Sequence, residues 1–115
     1  MTTIIDYAAL PALATDPRSH QICETIASQI SPMTKMANGW TAHFAIESGA
    51  LCSFKLSGPY GQRFITVTLN AWDTYDVTCY RVGKGGKVIV TGGSTMVYAD
   101  QLNEMIFFLI DKSCD

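Results

Sequence analysis

The sequence predicts an α+β fold, a two-layer sandwich in which a five-strand antiparallel meander sheet carries N-terminal helices and one C-terminal helix packed on one face. Two observations support this fold class. Apolar residues recur with a period of two from Gly39 to Thr91, and helical stripes of apolar residues flank that region on both sides. The connections between strands are short, so each strand is expected to pair with the one before it in an antiparallel arrangement.

The N-terminal third is predicted to be helical. Residues 6–13 (DYAALPAL) are compatible with a short helix interrupted or opened by Pro11. A second helix is predicted after Asp16, a residue type that caps helix N-termini well, with Pro17 at the first helical position. The pattern ends at Pro32. The apolar stripe of this helix consists of Ile22, Ile26 and Ile30.

The strands are predicted from alternating polarity between turn formers. They cover residues 40–46, 52–56, 64–69, 75–82 and 87–91. The consecutive glycines Gly85 and Gly86 in the loop 83–86 are typical of a hairpin, because glycine adopts positive φ without a Cβ penalty. After residues 92–94 the period becomes helical again, which predicts the C-terminal helix. Its apolar stripe consists of Leu102, Met105, Ile106 and Leu109.

Length and composition limit the class of protein. At 115 residues the chain has the usual size of one domain, so residues 1–115 are assigned to a single α+β domain. Apolar residues make up 48% and charged residues 16%, which excludes an intrinsically disordered chain. The net charge of −2 argues against a dedicated nucleic-acid binder. With no apolar run of membrane-span length and no signal-peptide pattern, we expect no membrane partner and a cytoplasmic location.

No catalytic or metal-binding motif is evident. The four cysteines lie far apart in sequence and lack the C-x2-C spacing of small zinc sites, so they are expected to be reduced, buried thiols. His43 is expected on the outer sheet face and His20 on a helix surface beside Glu24. Alternation places Cys23, Cys52 and Cys79 in the core, so no cysteine is expected to meet a histidine. We therefore predict no catalytic residue, metal or cofactor.

The sheet face opposite the helices is the first candidate site. This face is predicted to be weakly charged and rich in β-branched and aromatic residues, which favours self-association or a protein partner over plain solvation. The residues of this predicted interaction surface are Phe64, Thr66, Tyr80, Ile89, His43 and Lys55. An alternative use of the same face is stacking of single-stranded nucleic acid, with basic side chains near the phosphates. Those basic residues are Lys55, Arg63, Arg81 and Lys87.

Two further candidate sites follow from the pattern. A hairpin end collects carboxylates and aromatic side chains that suit a loop site, although the same residue types also stabilise turns. The residues of this loop site are Asn70, Trp72, Asp73, Tyr75 and Asp76. A pocket between the sheet and the helices would suit a small ligand. Its predicted lining consists of Trp40, Phe44, Tyr75 and Met105.

Two segments resemble short hypothetical proteins encoded on phages, plasmids and other mobile elements. They are residues 64–77 (FITVTLNAWDTYDV) and residues 97–102 (VYADQL), which match a recurring TLNxxDTYDV hairpin and a VYADQL-like helix start. That group has no assigned activity, so the resemblance implies no catalytic residue. It implies a mobile-element accessory protein that binds a host or defence component.

The sequence therefore predicts a small non-enzymatic protein that acts by protein–protein contact, with a homodimer as one form of that contact and with an anti-defence or regulatory role. One alternative is a small-molecule-binding domain or enzyme with its pocket between sheet and helices. The other is a single-stranded nucleic-acid binder on the open sheet face.

Overall fold

The structure, a computed structural model, describes residues 5–114. Within them, five strands form one antiparallel sheet in the order β1-β2-β3-β4-β5. The strands are β1 (Trp40–Ile46), β2 (Gly49–Lys55), β3 (Gln62–Leu69), β4 (Tyr75–Val82) and β5 (Val88–Val97). The α-helices are α1 (Pro17–Gln29), α2 (Pro32–Ala37) and α3 (Leu102–Lys112). The predicted α+β fold is confirmed. No helix within residues 5–114 is long and apolar enough to cross a membrane.

Local capping explains where the first two helices begin. The Asp16 carboxylate accepts a hydrogen bond from the Ser19 amide at 2.9 Å, with Pro17 at the first helical position of α1. The Ser31 hydroxyl accepts from the Thr34 amide at 3.1 Å in the same way. The proline that follows Ser31 therefore starts α2 as well as ending the α1 pattern, so α2 is a helix that the sequence reading missed.

The main core lies between the helices and one face of the sheet, which we call the inner face. Buried side chains from α1, α3 and all five strands meet there. Its largest fully buried members are Phe54, Ile26, Ile30, Ile65, Leu102, Ile106 and Leu109. Each such side chain contributes about 1.5–3 kcal/mol through burial, which makes this layer the principal source of stability.

The opposite face, the outer face, is crossed by residues 5–14, which we call the strap. The Asp6 amide donates to the Gly86 carbonyl at 2.9 Å, and the Ala14 amide donates to the Ala45 carbonyl at 2.9 Å. The strap therefore runs from the β4–β5 connection to the edge strand β1. Leu10 is buried beneath it in a second apolar cluster. The strand residues of that cluster are Ile46, Leu51, Phe64 and Val82.

The helix predicted over residues 6–13 is largely wrong. Only Tyr7–Ala9 form a 3-10 turn, and the chain is extended at Leu10, with φ −95° and ψ 157°. The ring of Pro11 explains this, because a proline disfavours helical angles in the residue before it.

A β-bulge near the start of β1 reverses the expected alternation. Trp40 pairs with Phe54, but Ala42 pairs with Ser53, so β1 carries one extra residue between these pairs. A one-residue shift moves every following side chain to the other face. As a result His43 faces inward and Phe44 faces outward, whereas the sequence reading had placed them the other way round.

Strand β5 is longer than predicted. It was expected to end at residue 91 but continues to Val97, with Gly93 opposite Thr78. A Cβ at Gly93 would lie 2.8 Å from the Val77 carbonyl oxygen, so a residue without a side chain is needed there. Ile89 pairs with Arg81 in the cross-strand row that contains Arg63, and this row belongs to the inner face. The expected outer position of Ile89 is therefore wrong.

Candidate functional site

A groove of about 480 Å³ lies between the strap and the outer face of β1, β2 and β3. We call it the outer groove. All the residues that line it are uncharged, and most of its wall is apolar. Its principal apolar residues are Tyr7, Leu10 and Leu13 from the strap and Phe44, Leu51 and Phe64 from the sheet. The volume falls within the range of about 300–1,000 Å³ that is typical of ligand pockets.

One end of the outer groove is polar. The Gln62 amide nitrogen donates to the Ser53 hydroxyl at 2.7 Å, and the Thr41 hydroxyl donates to the same oxygen at 2.9 Å. These three side chains come from three neighbouring strands, and the antiparallel register brings them together. The groove thus offers a single hydrogen-bonding end and an otherwise apolar wall.

Large apolar side chains surround the mouth of the outer groove. Leu13 is 63% exposed and Phe44 is 45% exposed, and Tyr7 is also exposed. Tyr7 contacts Phe64 edge to face, with ring centroids 6.1 Å apart, so its position is set by packing on the sheet. Contiguous exposed apolar side chains beside a cavity are typical of an interaction site.

The predicted interaction surface does not exist as one continuous patch. Phe64 and Thr66 are buried, the former beside Leu10 of the strap. Within the same set, Tyr80 is half-buried and Lys55 is exposed at the end of β2. The other two members, His43 and Ile89, belong to the inner face. The strap covers Phe64, the β1 bulge turns His43 inward, and pairing with Arg81 turns Ile89 inward, and none of these features was predicted.

Two residues of the predicted nucleic-acid surface, Phe64 and Arg63, are buried and cannot contact a nucleic acid. Phe64 is buried and has no free face on which a base can stack. The Arg63 guanidinium is also buried, donating to the Ser113 hydroxyl at 2.7 Å and to the Tyr60 carbonyl at 2.6 Å. Arg63 therefore fastens the end of α3 to the sheet.

The predicted pocket between sheet and helices is not assembled. Trp40 packs edge to face on the buried Phe54, with centroids 5.5 Å apart. Phe44 lies on the opposite side of the sheet, and Met105 packs against the core from α3. These three residues are therefore not brought together, and Phe44 contributes to the outer groove instead.

Most side chains of the predicted loop site make hydrogen bonds that stabilise the β3–β4 turn itself. The Asn70 side-chain oxygen accepts from the amides of Trp72 at 2.9 Å and Thr74 at 3.2 Å. Its side-chain nitrogen donates to the Asp76 carboxylate at 3.0 Å. Asp73 adopts a positive φ of 59°, as turn aspartates do. Asn70 therefore holds this hairpin end together, and Trp72 is exposed at its tip.

Tyr75 lies in the buried core and is not part of the loop site. Its hydroxyl donates to the Gln29 side-chain oxygen at 2.7 Å. Burial raises the pKa of Tyr75. The residue therefore connects β4 to the end of α1.

Cys23, Glu24 and His43 form a second cluster, which we call the Cys–His–Glu cluster. The His43 Nε2 atom lies 3.2 Å from the Glu24 Oε1 atom, and the sulfur, nitrogen and oxygen atoms of the three residues all lie within 4.8 Å of one another. The expectation that no cysteine meets a histidine is therefore wrong. The bulge that turns His43 inward is the reason, and it brings Glu24 to His43 although His20 was its expected partner.

The Cys–His–Glu cluster is unsuited to nucleophilic attack by sulfur. Cys23 is only 2% exposed. Burial is the main cause that raises the pKa of its thiol, and the negative charge of the Glu24 carboxylate raises it further. Reactive cysteines need a lowered pKa and access to substrate. Cys52, the cross-strand partner of His43, is buried as well, and burial raises its pKa to about 12.

All four cysteines are free thiols. The expectation of buried thiols is confirmed for three of them but is wrong for Cys114, which is exposed near the end of the described chain.

No protein-family model, no curated protein and no solved structure matches this chain. The resemblance of residues 64–77 and 97–102 to mobile-element proteins therefore stays a prediction. In the structure these two segments are neighbours, because Val97 pairs with Tyr75 at the end of the β4–β5 ladder.

Proposed function

We propose that the protein is a non-enzymatic binding module that acts by protein–protein contact, and that the outer groove receives an apolar side chain from an extended segment of the partner. The observation that supports this proposal is the uncharged outer groove with large apolar side chains exposed around its mouth. Protein interfaces characteristically place an anchor side chain in such a pocket. The contacts around the anchor contribute little binding energy themselves but exclude water from it.

The exposed mouth favours a protein over a small molecule. A ligand confined to the groove would leave the outer surfaces of Leu13 and Tyr7 in water. A protein partner would cover the groove and its mouth together. Because the lining carries no charge, a partner segment bearing Leu, Met or Phe suits it better than a charged segment.

The edge of β1 supports an extended partner segment. β1 is an outer strand of the sheet, and within residues 5–114 the strap bridges it at one pair, Leu13 and Ile46. An edge strand offers unpaired backbone groups to an added strand. A segment lying along β1 would place alternate side chains toward the outer groove.

The resemblance to mobile-element proteins suggests the setting of this contact. On that basis the partner is a host or defence protein, the location is the cytoplasm, and the outcome is anti-defence or regulatory. A second copy of the same chain is the other form that the contact takes, which makes a homodimer part of the test.

Capture from bacterial lysate treated with nuclease tests the proposal. Wild type is compared with Leu13→Asp and Phe44→Asp, which place a charge in the groove mouth, and with Met36→Asp as the matched control. Met36 is 83% exposed on α2 and is absent from the groove lining. We expect one partner, identified by mass spectrometry, to bind wild type and the control and to be lost from both groove variants.

The purified partner then allows a direct affinity measurement. We expect each groove variant to weaken binding by at least tenfold, which corresponds to about 1.4 kcal/mol, while circular dichroism shows the fold unchanged. Equal binding by wild type and both groove variants would overturn the proposal. Sedimentation of each variant reports the homodimer, which should dissociate in the groove variants but not in Met36→Asp.

A second candidate function is binding of a small uncharged ligand in the same groove. The observation that favours it is the polar end, where Ser53 accepts hydrogen bonds from Thr41 and Gln62. A ligand that binds only the folded state raises the melting temperature. Thermal stabilisation of wild type by uncharged apolar compounds, abolished by Phe44→Asp and kept by Met36→Asp, would support this function over protein binding.

A further inference from the structure

The geometry points to a zinc-binding site formed by the Cys23 thiolate, the Glu24 carboxylate and the His43 imidazole. This site lies on the inner side of the sheet, so it is independent of the outer groove and of the function proposed for it. The sequence reading predicted no metal, because the ligands come from distant parts of the chain rather than from a C-x2-C pair.

The distances require only a small adjustment to hold a metal ion. Bond lengths of about 2.3 Å for zinc–sulfur and about 2.0–2.2 Å for zinc–nitrogen and zinc–oxygen place tetrahedral ligand atoms roughly 3.4–3.6 Å apart. The His43 nitrogen and the Glu24 oxygen are already 3.2 Å apart, and all three donor atoms lie within 4.8 Å.

The chemistry of the donors selects the metal. A thiolate, an imidazole and a carboxylate are the three ligand types that zinc accepts in proteins, whereas magnesium and calcium take oxygen ligands. The thiolate and the carboxylate together carry two negative charges, which balance Zn²⁺. The charge of a bound zinc ion is therefore neutralised by its own ligands at the edge of the core.

The fold holds these residues in place. Adjacent positions on α1 supply Cys23 and Glu24, and the β1 bulge turns His43 toward them. The Trp40 ring packs beside the His43 ring, with centroids 5.3 Å apart, and directs its Nε2 atom toward α1. The Lys35 ammonium lies over the Trp40 ring, 4.7 Å from its centroid, and this contact helps to fix the position of the indole.

The exposed fractions of the three ligand side chains indicate that one coordination position of the metal would face solvent. The sulfur of Cys23 sits at the buried end, whereas the side chains of His43 and Glu24 are 29% and 71% exposed. Three protein ligands that leave a solvent-facing position are typical of accessible zinc sites, in which water takes the fourth place. A metal ion can enter from the Glu24 side without unfolding the core.

Cobalt(II) substitution tests the site directly, because a cobalt–thiolate bond gives a near-ultraviolet charge-transfer band and tetrahedral cobalt gives intense visible bands. The titration uses the purified protein carrying Cys114→Ser, which removes the exposed thiol as an alternative ligand. We expect both sets of bands at one cobalt per chain, and their loss when zinc is added. Zinc alone should also raise the melting temperature.

Variants assign the ligands. Cys23→Ala and His43→Gln should each lower zinc affinity by about 100-fold or more, beyond the range of outer-shell substitutions, measured against a competing chelator. Glu24→Gln replaces a charged ligand at the exposed end with little effect on folding. The matched control is Cys79→Ala, which removes an equally buried thiol. Cys79 lies on β4, three strands from His43 on β1, so its replacement should leave zinc binding unchanged.

Three results would overturn the assignment. Folded Cys114→Ser protein that shows no cobalt–thiolate band has no such site. Equal loss of affinity in Cys79→Ala and Cys23→Ala would show that the effect is one of folding. Unchanged binding in both His43→Gln and Glu24→Gln would place the metal elsewhere on the chain.

Discussion

Replacing Leu10 with alanine tests whether the strap is an integral part of the fold and of the outer groove. Leu10 is 7% exposed and packs on Leu51 and Phe64, which the strap shields from water. The substitution leaves the backbone hydrogen bonds at the two ends of the strap intact. It therefore isolates the contribution of one buried side chain to the position of the strap.

The expected decrease in the free energy of unfolding follows from the number of atoms that the substitution removes. Leucine to alanine deletes three carbon groups, and about 0.8 kcal/mol for each buried group gives roughly 2.4 kcal/mol. Buried leucine-to-alanine substitutions cost about 2–5 kcal/mol, and the upper part of that range reflects a closed cavity. Leu10 lines the outer groove, so the vacated space joins an open groove and the loss should stay near the lower end.

Urea unfolding followed by circular dichroism measures this loss. We expect Leu10→Ala to lower the free energy of unfolding by about 2–2.5 kcal/mol, or the melting temperature by about 10 °C. Leu13→Ala is the matched control, because Leu13 is mostly exposed on the same strap, and it should change stability by less than about 0.5 kcal/mol. Equal stability of the two variants would refute the packing of the strap on the sheet.

Two further predictions concern titration and thiol access. Hydrogen bonds from Ser19 lower the pKa of Asp16 below its ordinary value of 3.8, so the cap stabilises the protein above that value and its contribution is lost as the pH falls further. Asp16→Asn keeps a capping side chain but should lose that part of the acid dependence of the urea midpoint, whereas parallel curves for the two proteins would contradict the assignment. A disulfide reagent should modify one thiol, Cys114, rapidly in the folded protein and the other three only after denaturation. Rapid native-state modification of Cys23 would show that its burial is incorrect.

Much of the fold was predictable because its signals are local. The Asp16–Pro17 start of α1 depends on residues within one turn, and the hairpin at residues 83–86 depends on glycine backbone freedom. Helix α2 was predictable in principle, since Ser31 before a proline is the same capping pattern as Asp16. Pro32 is both the end of the α1 pattern and the first residue of α2.

The phase of β1 was not predictable from its residues. Strict alternation groups Trp40 with Phe44 and Ile46, and only an extra residue after Trp40 puts the indole on the same face as His43 and Ala45. The bulge decides between these two arrangements through pairing with β2, a contact between separate strands. That single choice moves Phe44 into the outer groove and His43 toward Cys23.

The sequence by itself determined the helix caps, the turns, the order of the strands and the existence of one apolar core, because each depends on neighbouring residues or on a repeating pattern. Only the tertiary structure decided which face the strap covers, where the groove opens and which cysteine meets His43. These features depend on contacts between residues far apart in the chain, and local propensity carries no information about such contacts. Both proposed sites lie where those long-range contacts are made.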